Sequence, residues 1–163
     1  ALDNYTEIKL KSEQVVLNSG RGVVARLTNL YGLGMSSETV LGTILRQIPS
    51  PGPLRVRDVN TVRDFLWVED AAQAICSLAM GRINGTYNVG SGVGTSVGQL
   101  AELCLKLTGQ EDRIIVSGNQ GRKQSQLVLD IEDIIKDYSW QPRLTLADGL
   151  KRLLSEREKK KYE

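Results

Sequence analysis

The stretch NYTEIKLKSE (4–13) sets a phenol, Tyr5, four positions ahead of an ammonium group, Lys9. Along a helix that spacing is about one turn, roughly 6 Å of rise, so the two polar ends can converge on one small volume. A cation beside a phenol favours the phenolate and draws its pKa down from a reference value of about 10, the direction that a general acid or base needs near neutrality. A second stretch with chemical potential is VGSGVGTS (89–96), where a strand, glycines and a helix start follow one another as they do in phosphate-binding turns. Its spacing fits neither the G-x-G-x-x-G dinucleotide fingerprint nor the P-loop, so it is read as a tight turn into a capped helix. The chain contains no His. That excludes imidazole-dependent catalysis, including serine and cysteine triads, and histidine-ligated zinc.

The 163 residues, 40% hydrophobic and 25% charged, suit one folded unit, and a net charge of +2 gives no reason to expect nucleic acid or a membrane surface as partner. No apolar run approaches the ~20 residues of a membrane span, and no signal peptide is apparent, so a cytoplasmic setting is expected. Cys76 and Cys104 both fall in apolar helical patterns and are expected to be buried thiols. The order of elements is α/β. A helix is predicted from Tyr5 to about Ser19, stopping at Gly20, and GVVARL (22–27) is predicted as a buried strand. The stretch from Tyr31 to Asn60, with Pro49, Pro51 and Pro53, is read mainly as irregular connection carrying one helix near Glu38 to Ile48.

DFLWV (64–68) is a predicted strand, followed by a helix that Glu69 or Asp70 begins and Gly81 ends, with Ala71, Ala74, Ile75 and Leu78 as its apolar stripe. GTYNVG (85–90) is another strand, and Ser96 with Gln99 forms a capping box ahead of Val97, Leu100, Ala101, Cys104 and Leu107, with Gly109 as the stop. RIIVS (113–117) and LVLD (127–130) are strand candidates, Asp130 is expected to cap a short helix, and WQP (140–142) turns into a last helix whose Leu146, Leu150, Leu153 and Leu154 face the core.

Five patterns in this order, YTEIKLKSE (5–13), RLTNLYGLG (26–34), VRDFLWVEDAAQAI (62–75), YNVGSGVGTSVGQLAEL (87–103) and LDIEDIIKDYSWQPRLTLADGL (129–150), resemble the C-terminal half of the extended short-chain dehydrogenase/reductases, which include the NAD-dependent nucleotide-sugar epimerases and dehydratases. The resemblance covers nearly the whole chain. It implies a partial Rossmann-like doubly wound sheet, of which the last helix and strand are present, plus a smaller mixed α/β substrate-binding lobe. Residues 1–30 would be the tail end of the NAD-binding domain with the Tyr-Lys helix, and 31–163 mainly the substrate lobe. Tyr5 would be the catalytic acid or base, and Lys9 would hold the cofactor ribose and tune the phenol. Asn29 would line the substrate, turn formation being the alternative, while Tyr31 and Gly32 shape the loop leaving the strand. Arg63 matches the arginine that binds the nucleotide diphosphate, a task suited to its planar fork; an ion pair with Asp64 or another carboxylate is the alternative. A second phosphate contact is expected upstream of LVLD, where Arg122 or Lys123 stands off the usual spacing and an ordinary surface loop is equally compatible.

The same resemblance implies NAD as cofactor, a nucleotide-diphosphate sugar as substrate and a homodimer through the first helix. Within these residues nothing matches the glycine turn that receives the cofactor pyrophosphate, and no Ser or Thr of the kind that polarises the substrate precedes Tyr5. The chain begins with Ala and enters a helix almost at once. It is therefore expected to be a substrate-binding fragment, silent in catalysis and without tight NAD binding on its own. Two other functions fit the same residues: a self-sufficient nucleotide-binding or interaction module without redox activity, and a piece of an NADPH-dependent sugar reductase.

Overall fold

The computed structural model describes residues 3–81, 83–118 and 125–159. Helix α1 (Asn4–Asn18) opens where the Asp3 carboxylate accepts the Thr6 backbone N–H at 2.7 Å and closes ahead of Gly20, whose φ of +69° suits a residue without a Cβ. Strand β1 (Val23–Leu27) follows. The stretch read as irregular holds more order than expected: β2 (Asn29–Tyr31) leads into it, and α2 (Val40–Gln47) and β3 (Leu54–Val56) lie within it. Strand β4 (Val62–Trp67) runs without a break into α3 (Val68–Met80). That helix therefore starts before Glu69 and Asp70. Asp70 does not cap it, because its buried carboxylate accepts the backbone N–H groups of Arg143 and Leu144 at 3.2 Å each and ties α3 to the turn before the last helix.

Strands β5 (Gly85–Val89) and β6 (Gly94–Ser96) precede α4 (Val97–Leu107), where the expected capping box is present in both directions. Strand β7 (Ile115–Ser117), the short β8 (Gln126–Leu127), α5 (Glu132–Tyr138) and α6 (Leu146–Lys159) complete the described elements. The strand expected over 127–130 is cut short because Leu129 turns its N–H to Asp64 Oδ2 at 3.4 Å and Asp130 gives its carbonyl to Asn88 at 2.9 Å. Asp130 still accepts the Glu132 N–H at 3.0 Å, although Ile131 holds the cap position.

Pairing is mainly parallel. β1 lies beside β5 in register Val23↔Gly85 to Leu27↔Val89, and β3 lies beside β7. β4 is shared along its length: its first half pairs with β6, antiparallel, and with β8, and its second half pairs with β2. Because successive strand residues face opposite sides, Phe65 and Trp67 enter one core with Tyr31, Ile44, Leu100 and Leu150, while Leu66 enters a second with Ala74, Leu78, Val89 and Trp140. Leu150 and Leu153 of α6 are buried, and Leu146 and Leu154 are partly so.

Two expectations for α3 fail for one geometric reason. At about 100° per residue, Ala71, Ala74 and Leu78 share the buried face; Ile75 falls at its edge and Cys76 opposite Ala74, so both are exposed while Cys104 is buried. None of α1 is buried; Thr6, Glu13 and Leu17 form a half-buried seam toward β1, where Glu13 meets Arg26 at 2.6 and 3.0 Å. Among the described residues no helix is long and apolar enough to cross a membrane.

Candidate active site

The chain folds around a cavity of about 850 Å³ between α2 and the strands β2, β3 and β4, with Asn29, Arg57, Asp58, Arg63 and Ser125 among its lining residues. Strand alternation sends Arg63 and Asp64 to opposite faces of β4. The Arg63 guanidinium donates from Nη1 to the carbonyls of Val62 at 2.7 Å and Ser125 at 3.1 Å, and from Nη2 to the Ser125 hydroxyl at 3.1 Å. No carboxylate pairs with it among the described residues. The ion pair with Asp64 is thus not formed. Of the five N–H hydrogens of an arginine, the one on Nε and one on Nη2 have no partner among the described residues.

Asp64 is fully buried and otherwise engaged. Its Oδ1 accepts the Ser91 hydroxyl at 2.5 Å and the Ser91 N–H at 2.9 Å, and its Oδ2 accepts the N–H groups of Gly92 at 3.2 Å and Leu129 at 3.4 Å. The glycine-rich turn is therefore an anion cradle whose anion is internal, which explains its failure to match a phosphate-binding spacing. Gly92 has φ +70°, and a Cβ on Gly90 would overlap Asp64 Oδ2, so both glycines are required by the carboxylate they surround. The turn leads into β6 before it reaches the helix.

Asn29 lies in a strand, not a turn. Its Nδ2 donates to the Asp64 carbonyl at 3.0 Å, and the Thr28 hydroxyl donates to the same oxygen at 2.9 Å, which fixes the Asn29 amide at the cavity wall. Tyr31 also lines the cavity, but it is a core residue: it is 2% exposed, its ring meets Trp67 edge-on at 5.4 Å, and burial together with the Asp70 and Asp148 charges holds its phenol well above the usual range. It is the last residue of β2, directly ahead of the loop.

Tyr5 and Lys9 share the open face of α1, where Lys9 Nζ stands 5.6 Å from the Tyr5 ring centroid and Tyr5 is 70% exposed. Neither lines the cavity that holds Asn29 and Arg63. Arg122 and Lys123 lie outside the described residues. Arg57, just past β3, is a cavity residue that sequence reasoning missed; an isolated arginine in a connection offers no periodic or motif signal. For a dinucleotide, the Ser91 and Gly92 N–H groups, committed to Asp64, do not fit a pyrophosphate, whereas Tyr5 and Lys9 are both exposed on α1. Among the described residues no three His, Cys, Asp or Glu side chains group as a metal site would require.

Comparison with known proteins bears on the family and the fold. The model of the NAD dependent epimerase/dehydratase family matches residues 2–90. The GDP-6-deoxy-D-mannose reductase of Pseudomonas aeruginosa is 30% identical over 94% of this chain and 55% of its own length. The dTDP-4-dehydro-6-deoxyglucose reductase of Escherichia coli is 28% identical over 91% of this chain and 48% of its own length. Among solved structures, RMD from Pseudomonas aeruginosa complexed with NADPH superimposes with a TM-score of 0.86 at 28% identity, covering 98% of this chain and 57% of that one. The chain thus spans about half the length of the curated relatives it matches. It belongs to the NAD dependent epimerase/dehydratase family of extended short-chain dehydrogenase/reductases.

Proposed function

We propose that this chain is the substrate-binding part of an enzyme that acts on nucleotide-diphosphate sugars, with residues 31–163 mainly holding the substrate and residues 1–30 presenting the Tyr5–Lys9 pair. The observation that carries the reading is Arg63. Its guanidinium is held by Val62 and Ser125, lines the cavity and has no carboxylate partner among the described residues, which is the state of an arginine built to take an anionic ligand. Asn29, locked through its amide, offers its Oδ1 as acceptor to a sugar hydroxyl or a base N–H on the same wall.

Tyr5 exchanges a proton with a sugar hydroxyl, and Lys9, whose ammonium stands beside the Tyr5 ring, meets the cofactor ribose. An NAD bound against that face supplies the hydride acceptor. This chain alone does not hold the dinucleotide tightly, because the Ser91–Gly92 turn is committed to Asp64 and no other glycine turn among the described residues matches a pyrophosphate-binding spacing. The exposed Ile8 and Val15 leave α1 an apolar flank apart from Tyr5, which supports self-association through that helix. A second reading, a sugar reductase using NADPH, draws support from the two similar reductases.

Calorimetry on the 163-residue chain tests the assignment with UDP-, dTDP- and GDP-sugars and with NAD. At least one nucleotide sugar binds, Arg63→Gln weakens it about tenfold or more, and NAD does not bind at micromolar concentration. No nucleotide-sugar binding, or micromolar NAD binding, overturns the reading.

A further inference from the structure

We propose that Arg57 is the second phosphate-binding guanidinium of the cavity, and that it makes the site prefer a nucleoside diphosphate over a monophosphate. The inference rests on the nucleotide-sugar reading above and deepens it. Arg57 and Arg63 line the same cavity, and neither has an ion-pair partner among the described residues. The two lining carboxylates are both engaged elsewhere. Glu38 pairs with Arg46 at 3.0 Å. Asp58 accepts the Asn60 N–H at 2.9 Å and the Thr61 hydroxyl at 3.1 Å, which folds it into the turn between the two arginines.

The backbone around Arg57 is fixed. Gly118 donates to the Val56 carbonyl at 2.9 Å, Gly98 to that of Val59 at 3.0 Å and Val97 to that of Thr61 at 2.9 Å. Arg57 is thus a side chain on a pinned base, exposed at the cavity, with all five N–H groups uncommitted among the described residues. Arg63, by contrast, has spent three of its five on Val62 and Ser125 and retains one adjacent pair, enough to meet two oxygens of a single phosphate. A diphosphate therefore needs a second donor group on this wall, and Arg57 is the side chain placed to supply it.

The test is calorimetric titration of the 163-residue chain and its Arg57→Gln, Arg57→Lys and Arg63→Gln variants with UDP, dTDP and GDP and the corresponding monophosphates. The wild-type chain is expected to favour the diphosphate about tenfold. Arg57→Gln removes that preference, weakening the diphosphate about tenfold while the monophosphate stays within about twofold; Arg57→Lys restores part of it; Arg63→Gln weakens both ligands. Thermal unfolding of Arg57→Gln matches wild type, since the side chain is exposed. If wild type binds and Arg57→Gln keeps the diphosphate preference, or loses both ligands equally, the role of Arg57 falls and the nucleotide-sugar reading stands. If wild type binds none of the six nucleotides, both fall.

Discussion

Ser91 gives one oxygen of Asp64 both its hydroxyl, at 2.5 Å, and its backbone N–H, at 2.9 Å. The other oxygen gathers Gly92 and Leu129, and the Asp64 carbonyl takes Thr28 and Asn29. One buried residue therefore joins β4, β2, the glycine-rich turn and the approach to α5. Asp64→Asn replaces an acceptor oxygen by an NH₂ group that faces donors, so at least one buried N–H loses its partner. The expected cost is about 3 kcal/mol. For a chain of this size that corresponds to a fall in Tm of roughly 6–12 °C, read by circular dichroism. An unchanged midpoint would show that the cradle holds together without the charge.

Gly149 and Tyr31 form a tighter fit. A Cβ on Gly149 of α6 would overlap the Tyr31 hydroxyl, and Tyr31 cannot retreat because it is 2% exposed and set against Trp67. Gly149→Ala is expected to destabilise by about 2 kcal/mol despite the better helix propensity of Ala. In a Tyr31→Phe background the overlapping oxygen is gone and only the ring edge, with Cζ at 2.8 Å, stands in the way, so the same change should cost distinctly less. A double-mutant cycle in urea measures the coupling, and additive effects would rule the contact out as the cause.

These contacts mark where the sequence was legible. The α4 capping box, the Gly20 and Gly109 stops and the one-turn spacing of Tyr5 and Lys9 are local patterns, and all are present in the fold. Strands β2, β3 and β6, of three residues each, were invisible because so short a run shows no alternation and is held by partners far along the chain, β2 by Phe65–Trp67 and β3 by Ile115–Ser117. The Asp64 cradle escaped for the same reason, its donors lying 27 to 65 positions away. Arg63 was found through resemblance, whereas Arg57 needed the cavity to be seen.

The two cysteines should behave as opposites. Cys76 is exposed and Cys104 is 0% exposed, so a thiol reagent such as Ellman's should titrate one thiol in the native chain and two in denaturant. Burial pushes the Cys104 thiol up from 9.0 to about 12. Below pH 9 the thiol carries its proton in both folded and unfolded states and stability is unaffected. Between pH 9 and about 12 the unfolded thiol ionises and the folded one does not, so stability is lost as pH rises, by up to about 1.4 kcal/mol per pH unit. Tyr31 and Tyr87, both raised by burial from 10.0, add to the loss at higher pH. The urea midpoint should therefore decline from pH 9 upward and decline less in Cys104→Ala between pH 9 and 10; a flat profile would mean that the thiol ionises in place.

Helix α1 is held by little. It buries no residue, touches the body along Thr6, Glu13 and Leu17, and exposes Tyr5, Ile8 and Val15 at 70%, 63% and 72%. Helices of this length are marginal in water without a packed face. In α4, by contrast, Val97, Leu100, Ala101, Cys104 and Leu105 are all buried, so opening it requires most of the first core to come apart. Native-state hydrogen exchange should find α1 amides opening at least about 2 kcal/mol more easily than those of α4. Raising salt should widen the gap, since Arg26 and Glu13 form a partly exposed pair in which the guanidinium holds the carboxyl below its usual range. If the chain associates through α1, raising its concentration should slow exchange at Ile8, Ser12 and Val15 and leave α4 unchanged. Protection in α1 equal to that of α4 at every concentration would mean that the half-buried seam alone is enough to hold the Tyr5–Lys9 face in place.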